Sequence, residues 1–308
     1  MDDRGKLFSK VAWIGVWTNG ALSAAKVLVG LLFNSSAVLA DGVDTGTDVF
    51  TSLVTLVSGK ISSRPPDKTH PYGHERAEAI AAKMVSFIVF YAGASLLFAS
   101  VKRIILHEHV QIQGVLPLLV TILSIAIKSW LFLYKYRVGK RLNSSVMIAD
   151  ALNMRNDILI SGTVLLGVIL SKIGLFWMDS IAALVVSVMI IRTAFSIFRE
   201  TSYELMDGMR DLEIYREIFD AVESVKGVKN PHKVRVRQVG YKYFVDIDIE
   251  VDPSLTVQVG HDIATQVKRA IIARNDRIAD VLVHVEPAGN VEQEPFGLDQ
   301  EKMNSTNK

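Results

Sequence analysis

The sequence contains no cysteine and comparatively few charged residues. None of its 308 residues is Cys, and 21% are Asp, Glu, Lys or Arg. The absence of cysteine excludes disulfide frameworks, thiolate zinc sites, iron–sulfur clusters and catalytic thiols. Soluble domains carry about 25% charged residues, whereas half of these residues are hydrophobic and the mean hydropathy is +0.29. The formal net charge of +2 gives no overall electrostatic case for nucleic acid, and a membrane protein is the class that remains.

Long apolar runs occupy the first two thirds of the chain. Each is long enough to cross a hydrocarbon core of about 30 Å, and the six runs cover residues 11–33, 36–59, 79–103, 112–135, 145–170 and 177–198. The first has no Ala-x-Ala cleavage site and is too long for the apolar part of a signal peptide, so we expect a retained helix. The sequence therefore predicts an all-α bundle of six transmembrane helices within residues 1–208.

The distribution of Lys and Arg predicts the orientation of this bundle. If the N-terminus is cytoplasmic, the cytoplasmic segments up to Arg199 hold twelve Lys or Arg residues, and the outer loops with the adjoining span ends hold only Lys102, Arg103 and Lys172. Lys and Arg concentrate in cytoplasmic loops, so both termini are expected in the cytoplasm. The compact loops and the short N-terminal segment suit a bacterial inner membrane.

After residue 200 the pattern changes to that of a small soluble domain. An amphipathic helix over 211–225 precedes two alternating segments, 232–239 and 243–251, which are followed by a helix over 257–273 and a strand over 281–286. This order predicts an α+β, metallochaperone-like αββαβ domain over residues 209–290. The polar composition of residues 291–308 predicts a disordered tail.

Two of the predicted spans carry the same acidic pattern, Asp-x-x-(Asp/Asn)-x-x-x-Asp. Its members are Asp41, Asp44, Asp48, Asp150, Asn153 and Asp157. Offsets of three and seven place the residues of each span on one helical face. A carboxylate at the bilayer centre costs about 2.5–3.5 kcal/mol on insertion scales, so several of them together require neutralisation.

A divalent ion would neutralise these residues and satisfy their geometry. The ligand set that we predict is Asp44, Asp48, Asn153 and Asp157, which suits a near-tetrahedral or partly hydrated ion. Asp41 and Asp150 lie one turn earlier, and we expect them to support helix packing or a proton path. The alternative is that the acids pair with basic groups inside the membrane, namely Lys26, Lys83, Lys128 or Arg155.

The loop between the second and third spans contains two histidines, His70 and His74, in a Pro-rich stretch. Alone, this His-x-x-x-His pattern is compatible with capping of the following helix or with metal binding. Together with the paired acidic motifs, the loop sequence His-Pro-Tyr-Gly-His-Glu-Arg and the predicted architecture resemble the cation diffusion facilitator (cation efflux) family over nearly the whole chain. The similarity is strongest to bacterial manganese-exporting members.

This resemblance implies a homodimeric exporter that moves divalent metal out of the cytoplasm in exchange for protons. It assigns the transport site to the same four residues of the acidic motifs, and a loop site to Asp67, His70 and His74. It also implies a charge interlock between Arg76 and Asp207. Its cytoplasmic metal sites would fall on His232, Asp248, His261, His284 and Glu286, although these residues are equally compatible with a solvated strand face.

The candidate ligands of the transport site are all oxygen atoms, if Asn153 binds through its carbonyl. Zinc-transporting relatives usually offer His at this position, and Zn(II) favours imidazole nitrogen. Oxygen ligands suit harder ions, so we expect Mn(II) in preference to Fe(II), Co(II) or Zn(II). Mg(II) fits less well because it gives up its waters reluctantly. No prosthetic group is expected, and the expected partners are a second copy, lipid, divalent cations and protons.

Two other function classes could use the same residues. A membrane-anchored metal sensor or metal-dependent enzyme would use His70, His74 and nearby acids as its centre. The sequence shows no Ser/His/Asp arrangement, phosphate-binding Gly loop or His-Glu-x-x-His motif to serve such an enzyme. A passive channel conflicts with a dehydrated four-ligand site, which would bind ions too tightly for fast conduction.

Overall fold

The computed structural model describes residues 3–62, 64–106, 112, 114–141, 145–209, 212–240, 242–289 and 297–298. The chain divides into two compact units, Met1–Ser58 with Ala81–Phe198 and Gly59–Ile80 with Arg199–Lys308. The second unit begins at Arg199, ten residues before the expected start at residue 209. It differs further in that the loop before the third long helix, within Gly59–Ile80, clusters with the C-terminal domain. Side-chain contacts described below account for this difference.

Six long helices correspond to the six predicted spans. They are α1 (Asp3–Leu32), α2 (Ser36–Ser62), α3 (Arg76–Ile105), α4 (Leu116–Arg141), α5 (Ser145–Lys172) and α6 (Trp177–Leu205). Within the described residues, five of them contain stretches long and apolar enough to cross a membrane. The exception is α2, which is 27 residues long but carries the three aspartates of the first acidic motif. The role of α2 as a sixth span stays a prediction.

The first unit has a core of small apolar residues and an apolar outer surface. Val85, Val89, Val164 and Val186 are buried in one cluster, whereas large side chains such as Trp17, 73% exposed, face outward. An extended surface of large apolar side chains is typical of a unit that contacts a membrane. Gly42 permits a close approach of α2 to α1, because a Cβ atom there would lie 2.8 Å from the Val27 nitrogen.

The C-terminal domain has the predicted αββαβ order. Its elements are α7 (Glu213–Glu223), β1 (Lys229–Val239), β2 (Lys242–Val251), α8 (Val257–Arg274) and β3 (Ile278–Pro287). The sheet has the order β1-β2-β3, with β1 antiparallel and β3 parallel to β2. Alternate residues of β2, among them Val245, Ile247 and Ile249, pack with Phe219 of α7 and Ile271 of α8 in the core.

Most of the predicted disordered tail lies outside the described residues. Gly297 and Leu298 are described, and Leu298 exchanges two backbone hydrogen bonds with Val234 of β1, at 2.9 and 3.0 Å. The chain therefore returns to β1 at this point, a contact that polar composition alone did not predict.

Candidate metal centre

Three carboxylates from the two acidic motifs converge inside the first unit. One ligand oxygen from each of Asp44, Asp48 and Asp157 lies within 4.8 Å of the other two. Asp44 and Asp157 are buried, and Asp48 is half-buried. Asp44 and Asp48 are four residues apart on α2, so they share a helical face, and Asp157 comes from α5. Carboxylate oxygens at this spacing can hold a divalent cation.

The structure places the remaining motif residues differently. Asn153 lies one turn before Asp157 on α5, and its side chain is exposed on the surface of the unit. The structure therefore brings together three of the four predicted ligands, and the role of Asn153 stays a prediction. The side chain of Asp150 lies outside the described residues.

Asp41 forms a salt bridge and is separate from the three converging carboxylates. Its Oδ2 lies 2.7 Å from Lys26 Nζ, and both side chains are fully buried. Ser161 Oγ also donates to the Asp41 carboxylate, at 3.0 and 3.1 Å. The alternative in which acids pair with basic groups of the bundle therefore holds for Asp41, and its supporting role stays a prediction.

A second buried lysine, Lys128 of α4, contacts the candidate centre itself. Its ammonium lies 3.5 Å from Asp157 Oδ2 and donates to Thr45 Oγ1 at 3.2 Å. Lys26 shares this hydroxyl at 3.5 Å. Of the other basic candidates, Lys83 lies over the Phe198 ring at 4.8 Å, and Arg155 is exposed.

Thr45 and Ser161 are functional neighbours that sequence reasoning missed. A signal was present, because Thr45 follows Asp41 by one helical turn and Ser161 follows Asp157 by one turn. Both hydroxyls are fully buried. Thr45 Oγ1 accepts hydrogen bonds from both lysines, and Ser161 Oγ accepts from Lys26 and donates to the Asp41 carboxylate. They complete a network that joins α1, α2, α4 and α5.

The charges of this network favour a divalent ion. Asp41, Asp44, Asp48 and Asp157 together with Lys26 and Lys128 leave two formal negative charges when all are ionised. Uncompensated charge is costly away from water. One doubly charged cation, or two protons, would neutralise the group.

The loop residues Asp67, His70 and His74 also lie close together, with ligand atoms within 4.8 Å of one another. Asp67 Oδ2 lies 3.4 Å from His74 Nε2, and the two imidazole rings are 4.3 Å apart. Hydrogen bonds from the Thr69 hydroxyl and from the backbone N–H groups of His70 and Thr69 hold the pKa of Asp67 well below its ordinary value. The carboxylate thus stays ionised for a cation, and the loop remains a candidate metal site.

Several contacts anchor the loop within the second unit. Glu75 receives a hydrogen bond from Lys242 of β2 at 2.8 Å, Tyr72 packs edge-on against Phe244, and Arg76 forms the predicted ion pair with Asp207. Burial alone would raise the pKa of Glu75, but the Lys242 ammonium and backbone hydrogen bonding outweigh it and the pKa is lowered. These contacts explain why the loop clusters with the C-terminal domain.

The register of the sheet assembles part of the predicted cytoplasmic site. His232 pairs with Asp248, which pairs with His284, and the ligand atoms of His232, Asp248 and Glu286 lie within 4.8 Å. Asp248 and Glu286 are buried, so the interpretation as a solvated strand face does not fit these two. His284 is exposed with its Nε2 3.6 Å from Glu286.

Two features of this cytoplasmic cluster differ from the expected site. His261 is exposed on α8 and is not part of the three-residue cluster found among the described residues. Lys233, which sequence reasoning missed, places its buried ammonium 3.4 Å from Asp248 and 3.6 Å from Glu286. Its backbone has a φ of 50°, and the irregular register of β1 at this point turns its side chain toward the acids.

Comparison with known proteins gives matches over almost the entire chain. A family model described as the cation efflux transmembrane domain matches residues 12–206, and one described as the cytoplasmic domain of cation efflux proteins matches residues 211–288. Three relatives come from Bacillus subtilis (strain 168). The uncharacterised transporter YdbO is 33% identical over 280 residues, which cover 90% of this chain and 95% of the relative.

The other two relatives are named for manganese efflux. The manganese efflux system protein MneS is 32% identical over 292 residues, which cover 92% of this chain and 95% of the relative. The manganese efflux system protein MneP is 31% identical over 292 residues, which cover 92% of this chain and 98% of the relative.

Proposed function

We propose that this chain, which belongs to the cation efflux family of transporters, exports a divalent metal ion from the cytoplasm in exchange for protons, with Mn(II) as its preferred substrate. Members of the family are transporters, and the enzyme alternative is accordingly set aside. The observation that carries the proposal is the convergence of Asp44, Asp48 and Asp157 within 4.8 Å inside a helical membrane unit.

Proton exchange follows from the chemistry of these ligands. A carboxylate must be deprotonated to bind a metal ion, so metal and protons compete for the same oxygens. The two formal negative charges of the network would be neutralised by one divalent ion in the loaded state and by two protons in the unloaded state. Alternating access then requires the bundle to open toward one side of the membrane at a time.

The preference for Mn(II) rests on ligand type and on the relatives. The ligands of the cluster are oxygen atoms, and the Asn153 carbonyl would add another if it completes the site. Such a set suits Mn(II) better than a site with imidazole nitrogen does. Two relatives named for manganese efflux support this choice. Fe(II), Co(II) and Zn(II) are the alternative substrates within the same mechanism.

The setting that we propose is a bacterial inner membrane with both termini in the cytoplasm. The cytoplasmic domain would join two copies of the chain, as the matching family of dimerisation domains implies. The candidate sites in the His70–His74 loop and around Asp248 would receive or sense cytoplasmic metal, and lipid would cover the exposed apolar side chains of the helices.

A transport assay tests this proposal. We expect proteoliposomes with an acidic interior to take up Mn(II) in a saturable manner, and Asp48→Asn and Asp157→Asn to abolish uptake because each removes a charged ligand. Asp280→Asn is the matched control, since Asp280 is an exposed residue that pairs with Lys268 in the cytoplasmic domain. Normal uptake by both site variants, or uptake that ignores the pH gradient, would contradict the proposal.

A further inference from the structure

Lys128 and the predicted metal ion have the same binding partner. The Lys128 ammonium is fully buried and lies 3.5 Å from Asp157 Oδ2. Asp157 is also one of the three carboxylates that converge, together with Asp44 and Asp48. A metal ion bound by these three carboxylates would therefore sit close to a fixed positive charge.

From this geometry we propose that Lys128 is a tethered cation that competes with the transported metal for Asp157. The inference rests on the proposed transport function. Before metal binds, the ammonium pairs with the Asp157 carboxylate. The arriving ion displaces the ammonium toward the Thr45 hydroxyl, which already accepts a hydrogen bond from Lys128 at 3.2 Å. Lys128 is thus a positioning residue that acts on the metal through Asp157.

Competition of this kind has a use in a carrier. Three carboxylates that hold a divalent ion away from water attract it strongly, because Coulomb energies grow as the effective dielectric constant falls. A neighbouring ammonium weakens the binding of the metal ion and re-forms its ion pair with the carboxylate when the ion leaves. Release, and with it turnover, becomes faster at the expense of affinity.

Lys26 has a different role although it is equally buried. Its partner Asp41 lies outside the three-carboxylate cluster and is held by a 2.7 Å salt bridge and by Ser161. The Lys26–Asp41 pair therefore contributes no net charge to the site. Lys128 alone, among the lysines described in this network, faces a predicted ligand at ion-pair distance.

The test compares Lys128→Gln with Lys128→Arg in the Mn(II) uptake assay. Loss of the charge in Lys128→Gln should lower the half-saturating Mn(II) concentration by about tenfold or more and reduce the maximal rate. Lys128→Arg keeps the positive charge, so its half-saturating Mn(II) concentration should lie closer to that of wild type than to that of Lys128→Gln. Lys83→Gln is the matched control, because it removes a lysine that lies over Phe198 instead of the site.

An unchanged or raised half-saturating concentration in folded Lys128→Gln protein would overturn the inference. Failure of the proposed function is a separate result, namely the absence of saturable metal uptake by the wild-type protein. If Lys128→Gln does not fold, the double variant Lys128→Gln, Asp157→Asn removes both charges of the pair. Recovery of folded protein in the double variant supports the competing-charge role, whereas continued misfolding shows that Lys128 acts through packing and overturns it.

Discussion

Acidic residues only three positions apart on α2 have different physical surroundings. Asp41 is neutralised by Lys26 and receives hydrogen bonds from Ser161, whereas Asp44 converges with Asp48 and Asp157. Helical periodicity places Asp41, Asp44 and Asp48 on one face of α2 and therefore does not distinguish their roles. What separates them is the set of side chains that α1, α4 and α5 bring to each position.

The identity of residue 153 should influence metal choice. Asn153→His would offer an imidazole nitrogen one turn before Asp157, and Zn(II) favours such a ligand. We expect the ratio of Zn(II) to Mn(II) transport to rise by about tenfold, measured by competition uptake in proteoliposomes. Asn156→His is the matched control on the same helix, where Asn156 is likewise exposed. An unchanged ratio in Asn153→His would place selectivity elsewhere.

At the scale of elements, α2 is held at its N-terminus by a residue of α6. Asp179 accepts hydrogen bonds from the backbone N–H groups of Ser36 and Ala37 at 2.6 and 3.3 Å, and from Ser35 Oγ at 2.6 Å. The first N–H groups of a helix have no partner within it, and a carboxylate there also complements the helix dipole. Asp179 thus fixes the helix that carries Asp44 and Asp48.

Removal of this cap should weaken the bundle. Asp179→Ala is expected to cost about 1–2 kcal/mol of stability and to lower the midpoint of thermal unfolding in detergent. Mn(II) uptake should fall with it, since α2 positions two ligands. Asp280→Ala, the same change at an exposed position, should leave both properties near wild type. Equal melting temperatures for Asp179→Ala and wild type would show that the cap is dispensable.

Strand β2 is connected to its neighbours by Glu250. The carboxylate accepts hydrogen bonds from Asn230 Nδ2 at 2.6 Å and from the Gly289 N–H at 2.9 Å, and these bonds lower the pKa of Glu250 below its ordinary value of 4.5. Because the pKa is lower in the folded state, the stabilisation is complete above about pH 4.5 and is lost as the pH falls through the folded-state pKa.

We therefore expect the cytoplasmic domain of the full-length protein to lose stability under acid conditions, and Glu250→Gln to lose about 1–2 kcal/mol near neutral pH. Hydrogen exchange of β2 amides, corrected for intrinsic rates, measures both effects. Asp246→Asn is a control on the same strand. If Glu250→Gln retained the full acid sensitivity of β2, other carboxylates would be responsible.

At the scale of the whole molecule, the helical unit and the αββαβ unit differ in where their apolar side chains lie. The outer surface of the first unit carries large apolar side chains such as Phe98 and Tyr91, whereas the second has a closed apolar core. A membrane location of the first unit accounts for its apolar outer surface. The orientation of the first unit in the membrane, predicted from the distribution of Lys and Arg, can be tested by labelling.

Single cysteines test the orientation directly, because the wild-type chain contains none. We expect a membrane-impermeant maleimide to label Asp2→Cys and Thr306→Cys only after the cells are permeabilised. Lys172→Cys, at the end of α5 and predicted outside, should be labelled in intact cells. Labelling of either terminus in intact cells would contradict the predicted orientation.

Hydropathy, helical and strand periodicity and motif spacing determined much of this protein before any coordinates. They located six long helices, the αββαβ order, the acidic motifs and the His loop, because each of these is a property of neighbouring residues. Motif spacing indicated the acidic residues of the transport site, whereas the residues of the loop and cytoplasmic clusters came from the resemblance to the cation diffusion facilitator family. Among the described residues, Asn153, His261 and His284 are exposed and lie outside the three-residue clusters.

The tertiary structure decided which charges meet. Lys26 reaches Ser161 across 135 positions, and Lys128 reaches Thr45 across 83. Lys233 enters its acidic cluster through a local irregularity of β1. Such pairings depend on how the helices pack and on the register of the strands. A buried charged group pairs with the opposite charge that this packing places within ion-pair distance. Composition could require that the acids be neutralised, but only the fold could select the lysines that do so.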